Sequence, residues 1–135
     1  MSMLRIFDIS GSAVSAQSQR LNTVASNLAN ADSAVEPGQQ PYKARQVVFQ
    51  TLLLGETGAA GVQVSNIVES NDKARRVHQP GHPMADADGY VTYSNVSPID
   101  EMANMISASR SYQSNIEVMN TARSLLAKTL LLGQG

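Results

Sequence analysis

Two long segments of helical periodicity, one near each end of the chain, constrain the fold more than any other feature. In the first segment, apolar side chains recur at intervals of seven residues: Phe7, Val14, Leu21 and Leu28. Such spacing places them on one face of an α-helix. At about 1.5 Å per residue, a helix over residues 3–31 would be roughly 40 Å long.

The second helical segment runs over residues 97–132. Ser97 suits the N-cap, Pro98 the first helical position, and Gly133 the position after the end. The apolar stripe of this segment also follows helical spacing, and its members are Ile99, Met102, Ile106, Tyr112, Ile116, Met119, Leu126 and Leu130. The segment predicts a helix on the order of 50 Å long.

The residues between the two helical segments have the character of β-strands and turns. A short β-prone run covers residues 47–49, and Val62 and Val64 alternate with polar residues as in a half-buried strand. The glycine-rich stretch Gly55–Gly61 predicts a mobile loop. Asp88-Gly89, directly before Tyr90–Tyr93, predicts a hairpin turn.

These patterns predict an α+β fold with three parts. The first helix belongs to residues 1–35, the β-rich middle segment to 36–96, and the second helix to 97–135. We expect the helices to pair as an antiparallel coiled-coil-like stalk, because pairing buries both apolar stripes. Two helices alone bury little surface, and long helices are marginal in isolation, so the stalk needs further partners.

Charge is scarce in this chain. The formal net charge is -1, and 16% of residues are charged, against about 25% in a typical domain. Arg20 is the only charged residue between Ile9 and Ala31. A helix with a free outer face normally carries charges there, so the first helix is expected to be covered by protein on every side. The alternative is an amphipathic helix with an uncharged polar face. A basic field for nucleic acid is absent, and no apolar run approaches a membrane span.

Residues that could carry chemistry are sparse. Cysteine is absent, which excludes disulfides and thiolate metal sites. His78 and His82, with Asp86 and Asp88 nearby, form the only metal-like cluster, and the intervening prolines favour a solvated turn. No serine lies in a G-x-S-x-G motif, and no phosphate-binding loop is present. We therefore predict no catalytic, metal-binding or cofactor-binding residues, no cofactor and no enzymatic activity.

Two runs resemble a known family. SAVSAQSQRLNTVASNLANADS, residues 12–33, is similar to the N-terminal signature of bacterial flagellar axial proteins, the rod and hook group. MISASRSYQSNIEVMNTARSLLAKTLLLGQG, residues 105–135, resembles the matching terminal helix. PYKARQVVFQ, residues 41–50, and the short length point within this group to a subunit of the proximal rod. The resemblance covers nearly the whole chain.

The resemblance implies a structural subunit. Members of this family are exported through the flagellar type III apparatus without a cleaved signal peptide. They polymerise into a hollow helical drive shaft, with the terminal helices inside and the β-rich part outside. This implies a place in the basal body, in the rod that crosses the periplasm, transmitting torque around the export channel. The implied partners are copies of the chain, other proximal-rod subunits, the distal rod, the membrane-ring adaptor and the export apparatus, without nucleic acid or a membrane span.

The stretch SNLANADS, residues 26–33, places two amides at the end of the first helix. Asn tolerates the left-handed conformation that ends helices, so we expect Asn30 to terminate this one. We expect Asn27 to bond an adjacent subunit; the alternative is that both amides are local caps. The expected interface residues of the first helix are Phe7, Val14, Leu21, Val24, Asn27, Leu28 and Asn30, and those of the second are its stripe members.

Two other function classes stay open from the sequence. A helical adaptor or export chaperone would need a charged outer face to remain soluble alone, and the first helix lacks one. A hydrolase would need a framed nucleophile. Sedimentation separates an adaptor from a polymer subunit, because an adaptor is a fully folded small oligomer.

Overall fold

The described part of the chain begins and ends with a long helix, and five strands lie between the two helices in sequence. The computed structural model describes residues 3–134. Its elements are α1 (Met3–Ala29), β1 (Ala34–Val35), β2 (Arg45–Leu54), β3 (Ala59–Glu69), β4 (Arg76–His78), β5 (Tyr90–Tyr93) and α2 (Pro98–Leu132). The α+β class is confirmed. Residues 1, 2 and 135 of the predicted terminal parts lie outside the described residues.

The two helices pack against each other in opposite directions. Near the end of α1, Arg20 donates a hydrogen bond of 3.1 Å to Oδ1 of Asn104, which lies near the start of α2. At the other end, Ile6 shares a groove with residues 114–125 of α2. The start of one helix therefore lies beside the later turns of the other.

Strands β2 and β3 form a long antiparallel hairpin that lies along α1. Their register pairs Arg45 with Glu69 at the base and Leu54 with Ala59 at the tip, with a β-bulge between Val48 and Phe49. The backbone N–H of Val62 donates to Oγ of Ser12, at 3.1 Å. The same hydroxyl donates to the carbonyl of Ile9, at 2.7 Å, so one serine joins the hairpin to the helix.

The hairpin is longer than the sequence predicts. The predicted run over residues 47–49 lies inside a strand of ten residues. The predicted loop Gly55–Gly61 is wrong in extent, because β3 already begins at Ala59. Only Gly55–Gly58 forms the turn, where Gly55 and Gly58 take φ angles of 78° and 76° that favour glycine. Backbone pairing across the tip orders the remaining residues.

The second sheet has three strands in the order β1-β5-β4. The predicted strand at Tyr90–Tyr93 is present as β5. Its predicted tight hairpin is wrong, because the antiparallel partner β4 is separated from it by residues 79–89. Asp86 shapes this connection: its Oδ1 accepts from the backbone N–H groups of Asp88 and Tyr90, at 3.0 and 2.9 Å.

The buried apolar side chains are small and few. Among the described residues they are Ala16, Val24, Ala31, Ala59, Val91, Val96, Ala108 and Ala122. Four of them, Val24, Ala31, Val91 and Val96, lie in or beside the segments that connect the end of α1 and the start of α2 to the three-stranded sheet, and we call this region the junction. Among the described residues, no buried apolar side chain lies before Ala16 in α1 or after Ala122 in α2, so the helix ends remote from the junction are held less firmly.

The ends of α2 follow the predicted positions but not the predicted chemistry. Ser97 precedes the helix and Pro98 begins it, yet the Ser97 side chain makes no capping hydrogen bond. Gly133 follows the helix with a φ of -72°, which is right-handed, and its N–H donates to the carbonyl of Thr129. The helix therefore ends without a left-handed glycine.

Candidate interaction surface

The face that α2 turns inward differs from the predicted stripe. Ile99 is 81% exposed, and Met102, Ile106 and Leu130 are also exposed. Their assignment to an inward-facing stripe is wrong. The fully buried positions of α2 are Glu101, Ala108 and Ala122. Small side chains at this face let the two helices approach closely, and the larger apolar side chains are left outside.

The second half of the predicted α2 stripe lies partly inward. Tyr112, Ile116, Met119 and Leu126 are half-buried. The sequence contained a signal for the observed face, because Glu101, Ala108, Asn115 and Ala122 also recur at intervals of seven. The series does not stand out, because its members are polar or small and helical periodicity is usually assigned from large apolar residues.

The predicted residues of α1 lie on its inward side. Val24 and Asn27 are buried, and the half-buried members are Phe7, Val14, Leu21, Leu28 and Asn30. The single chain covers only part of α1, so full coverage of this helix by protein stays a prediction about the assembly. An outward strip stays exposed, and its members are Ser15, Gln19, Asn22, Ser26 and Ala29. None of them carries a charge.

Asn27 connects α1 to the base of the hairpin. Its Nδ2 donates to the carbonyl of Arg45 at 2.8 Å, and its Oδ1 accepts from the Arg45 N–H at 3.0 Å. The Tyr42 hydroxyl donates to the same Oδ1, at 2.9 Å. Burial raises the pKa of Tyr42, so the phenol remains a donor. Asn27 is 0% exposed, so the expectation that it bonds an adjacent subunit is wrong: its amide is used within its own chain.

Asn30 lies just beyond the end of α1. Its Nδ2 donates to the carbonyl of Ser26, at 2.9 Å, and its backbone N–H donates to the same carbonyl, at 3.2 Å. No residue other than glycine has a positive φ within the described part of the chain. Asn30 therefore caps the last turn through its side chain, and the expected left-handed conformation is wrong.

The sequence reading missed two residues that join α2 to the rest. Oδ1 of Asn95 accepts from the N–H of Ala44, at 2.7 Å, and its Nδ2 donates to the carbonyls of Ser70 and Asp72. Ser94, fully buried, donates to the carbonyl of Ala31, at 2.9 Å. Ser94 and Asn95 are adjacent polar residues between a predicted strand and a predicted helix, and this position could have identified them from the sequence.

The two histidines have partners of their own. The His78 ring contacts the Tyr90 ring edge-on, with centroids 4.9 Å apart. Nδ1 of His82 accepts from the N–H of Met84, at 3.1 Å. The part of the chain described by the structure contains no group of three or more His, Asp or Glu residues that could hold a metal ion.

The exposed apolar side chains are concentrated on α2. Besides Ile99, Met102, Ile106 and Leu130, they include Met105, Val118, Leu125, Leu131 and Leu132. Within residues 3–134, neither helix has an apolar stretch long enough to cross a membrane. α1 therefore exposes an uncharged strip, and α2 exposes large apolar side chains.

Comparison with known proteins identifies the family. A family model described as "Flagella basal body rod protein" matches residues 7–34. A second, described as "Flagellar basal body rod FlgEFG protein C-terminal", matches residues 87–132. The two matches cover α1 and α2, the elements that carry the exposed uncharged and apolar side chains.

Full-length relatives agree with these matches. Flagellar basal-body rod protein FlgC of Yersinia enterocolitica is 58% identical over 134 residues, which cover 99% of this chain and 100% of the relative. The protein of the same name from Escherichia coli O157:H7 is 55% identical with the same coverage. That of Buchnera aphidicola subsp. Acyrthosiphon pisum is 47% identical over 136 residues, with the same two shares. The chain therefore belongs to the family of flagellar basal-body rod proteins FlgC, which are structural proteins of the rod and not enzymes.

Proposed function

We propose that this chain is a proximal-rod subunit that polymerises through α1 and α2 into a hollow helical drive shaft. The shaft transmits motor torque and surrounds the export channel. The proposal is carried by one observation: α1 exposes a strip of uncharged side chains, and α2 exposes most of its large apolar side chains, as expected of helices that pack against further subunits.

The outward strip of α1 supports close packing against a neighbour. Its residues Ser15, Gln19, Asn22, Ser26 and Ala29 are small or uncharged, and they follow one another at helical spacing. Small side chains let helix backbones approach, and the amide and hydroxyl groups can hydrogen-bond across the contact. A monomeric protein normally carries charged side chains on an exposed helix face, and this strip has none.

The exposed apolar residues of α2 support the same assembly. Met102, Met105 and Ile106 lie together on the first turns, and Leu130, Leu131 and Leu132 lie at the end. Contiguous exposed apolar surface marks interaction sites. Burying one such side chain stabilises a contact by roughly 1.5–3 kcal/mol, and a polymer repeats the gain at each copy.

We infer the arrangement in the rod from the resemblance to the family of flagellar axial proteins. The terminal parts, residues 1–35 and 97–135, form the inner core as a coiled-coil-like stalk, and residues 36–96 lie outside it. The seven-residue spacing of Glu101, Ala108, Asn115 and Ala122 supports the coiled-coil-like pairing. The partners are further copies, other proximal-rod subunits, the distal rod, the membrane-ring adaptor and the export apparatus. The chain reaches the periplasmic rod through the flagellar type III export apparatus.

The test compares two charge substitutions in cells. Ile106→Asp changes an exposed residue of α2, so its effect on the folding of the single chain is small. Glu56→Lys changes an exposed residue of the hairpin turn and is the control. We expect Ile106→Asp to abolish complete basal bodies and swimming, and Glu56→Lys to leave both near normal. Normal swimming with Ile106→Asp at matched expression would reject assembly through α2.

A further inference from the structure

A cleft opens where α1, α2 and strand β2 of the hairpin face one another. Its volume is about 340 Å³. It is lined by Arg20, Thr23 and Val24 of α1, by Glu101 and Asn104 of α2, and by Arg45, Gln46, Val47 and Phe49 of β2. The interactions described so far leave this cleft unused.

Glu101 is the unusual group of the cleft. The residue is only 6% exposed, and its Oε2 is buried without a hydrogen-bond partner among residues 3–134. Its place in the first turn of α2 is favourable, because the positive end of the helix dipole lies there. That effect does not replace a donor, since a buried carboxylate oxygen without one costs free energy.

The two arginines that line the cleft are already engaged elsewhere. Arg20 donates to Oδ1 of Asn104 at 3.1 Å and to Oε1 of Gln17 at 3.5 Å. The Arg45 side chain lies 3.8 Å from a carboxylate oxygen of Glu69 and stacks over the Tyr42 ring. The donor that Glu101 lacks is therefore not supplied by either cation in this arrangement.

The outer face of α2 carries the complementary charges. Arg110, Arg123 and Lys128 are exposed, and none of them forms an ion pair within residues 3–134. At about 1.5 Å per residue, they lie roughly 14 to 40 Å along the helix from Glu101. A cation of one copy can therefore meet the Glu101 cleft of another copy that is displaced along the helix direction.

We propose that the Glu101 cleft binds a cationic side chain from the outer face of α2 in a second copy of this chain. The contact joins two different surfaces, and such heterologous contacts build open helical assemblies. The exposed Met102, Met105 and Ile106 are sequence neighbours of the cleft residues Glu101 and Asn104, so a second copy that docks at the cleft covers them as well. The inference rests on the proposed assembly through the terminal helices and adds the residue that receives the neighbour.

Charge reversal tests the proposal in cells. Glu101→Arg is expected to lower the number of complete basal bodies about tenfold or more, because a like charge then faces the incoming cation. Combining it with Arg110→Glu, Arg123→Glu or Lys128→Glu is expected to restore assembly in one of the three pairs. Asp100→Asn, which removes an exposed carboxylate from the same turn, is the control and is expected to assemble normally.

Disulfide trapping gives a second readout that does not depend on motility. The chain has no cysteine, so introduced pairs report without interference. Asn104→Cys at the cleft is combined in turn with Arg110→Cys, Arg123→Cys or Lys128→Cys, and basal bodies are isolated without reductant. We expect one pair to give bands of two and more linked chains. The control pair combines Asn104→Cys with Glu56→Cys, in the hairpin turn, and is expected to give no bands of linked chains.

Three outcomes would overturn the inference. One is normal assembly with both Glu101→Gln and Glu101→Arg. Another is failure of all three reversals together with absence of trapped dimers. The third is strong coupling between Glu101→Gln and Arg20→Gln in thermal unfolding of the isolated chain, because Arg20 would then be the donor. If Ile106→Asp still blocks the rod in these cases, assembly through α2 stands and only the Glu101 contact is rejected.

Discussion

Asn27 and Asn95 hold two consecutive residues at the base of the hairpin, Arg45 and Ala44, from two different helix ends. Asn27, in the last turn of α1, bonds both backbone groups of Arg45, and Asn95, just before α2, accepts from the N–H of Ala44. Asn95 also donates to the carbonyl of Ser70 on the partner side of the hairpin base. Two side-chain amides therefore fix the hairpin to both helices.

Replacing Asn27 by Ala is expected to destabilise the chain by about 1–3 kcal/mol, the cost of leaving buried polar groups without partners. The backbone groups of Arg45 and the Tyr42 hydroxyl would lose their bonds together. Asn22→Ala, at an exposed position of the same helix, is the matched control and should be neutral or slightly stabilising. Thermal unfolding of the isolated variants measures the difference. Equal midpoints for the two would show that the Asn27 bonds contribute nothing.

Gly61 is expected to be intolerant of even one methyl group. A Cβ at this position would collide with Oγ of Ser12 and lie 3.2 Å from its Cβ. That hydroxyl bonds Val62 and Ile9, so Gly61→Ala would displace the hairpin from α1. Overpacking of this kind costs typically about 1–3 kcal/mol. Gly81→Ala has open space and an ordinary φ and serves as the control; if both variants unfold at the same temperature, the close approach is not essential.

The connection between β4 and β5 is expected to weaken in acid. The N–H of Tyr90 first, then that of Asp88 and the Arg76 guanidinium, hold the pKa of Asp86 below its ordinary value of 3.8, against the opposing effect of desolvation. A lowered pKa in the folded state adds stability that is present above pH 3.8 and lost as the pH falls through the folded pKa.

Substitution isolates the contribution of this carboxylate. Asp86→Asn should unfold at a lower temperature than the parent near pH 6, and the difference should shrink as the pH falls below 3.8. Asp88→Asn, at an exposed position of the same connection, keeps the backbone N–H that bonds Asp86 and is the matched control. A parent and an Asp86→Asn variant that differ by a constant amount from pH 6 to pH 2.5 would contradict the assignment.

The isolated chain is expected to be folded at the junction and loose at the remote helix ends. The buried residues Val24, Val91 and Val96 lie at or near the junction, whereas the last turns of α2 expose Leu130, Leu131 and Leu132. Limited proteolysis of a dilute sample should therefore trim both termini and leave a fragment that contains the sheet. Equal protection of residues 3–15 and 60–95 would contradict this, and would favour the self-sufficient adaptor.

The long periodic elements could be predicted from the sequence, because each depends on local spacing. Phe7, Val14 and Leu21 indicated α1, and Pro98 marked the start of α2 to the residue. The strand Tyr90–Tyr93 was also predictable from Asp88-Gly89 and its aromatic ends. In each case the local pattern and the tertiary structure agree.

The orientation of α2 and the role of Asn27 could not be predicted in the same way. The inward face of α2 is set by which residues let α1 approach, and Ala108 and Ala122 do so better than Met102 or Ile106. Asn27 bonds Arg45, which lies 18 residues later in the sequence. The residues next to Asn27 give no indication of this long-range partner. Large apolar side chains that stay exposed in the folded chain, such as Met102 and Ile106, cannot be told from those of a core in one sequence.

Electron cryo-microscopy of intact basal bodies, with this chain traced in the rod, tests the central claim most directly. The account predicts that Ser15, Asn22 and Ser26 of α1, and Met102 and Ile106 of α2, lose most of their exposure against adjacent subunits. It also predicts that the hairpin turn Gly55–Gly58 lies outside the inner core. A rod in which these side chains face solvent, while the β-rich segment makes the contacts between subunits, would contradict it.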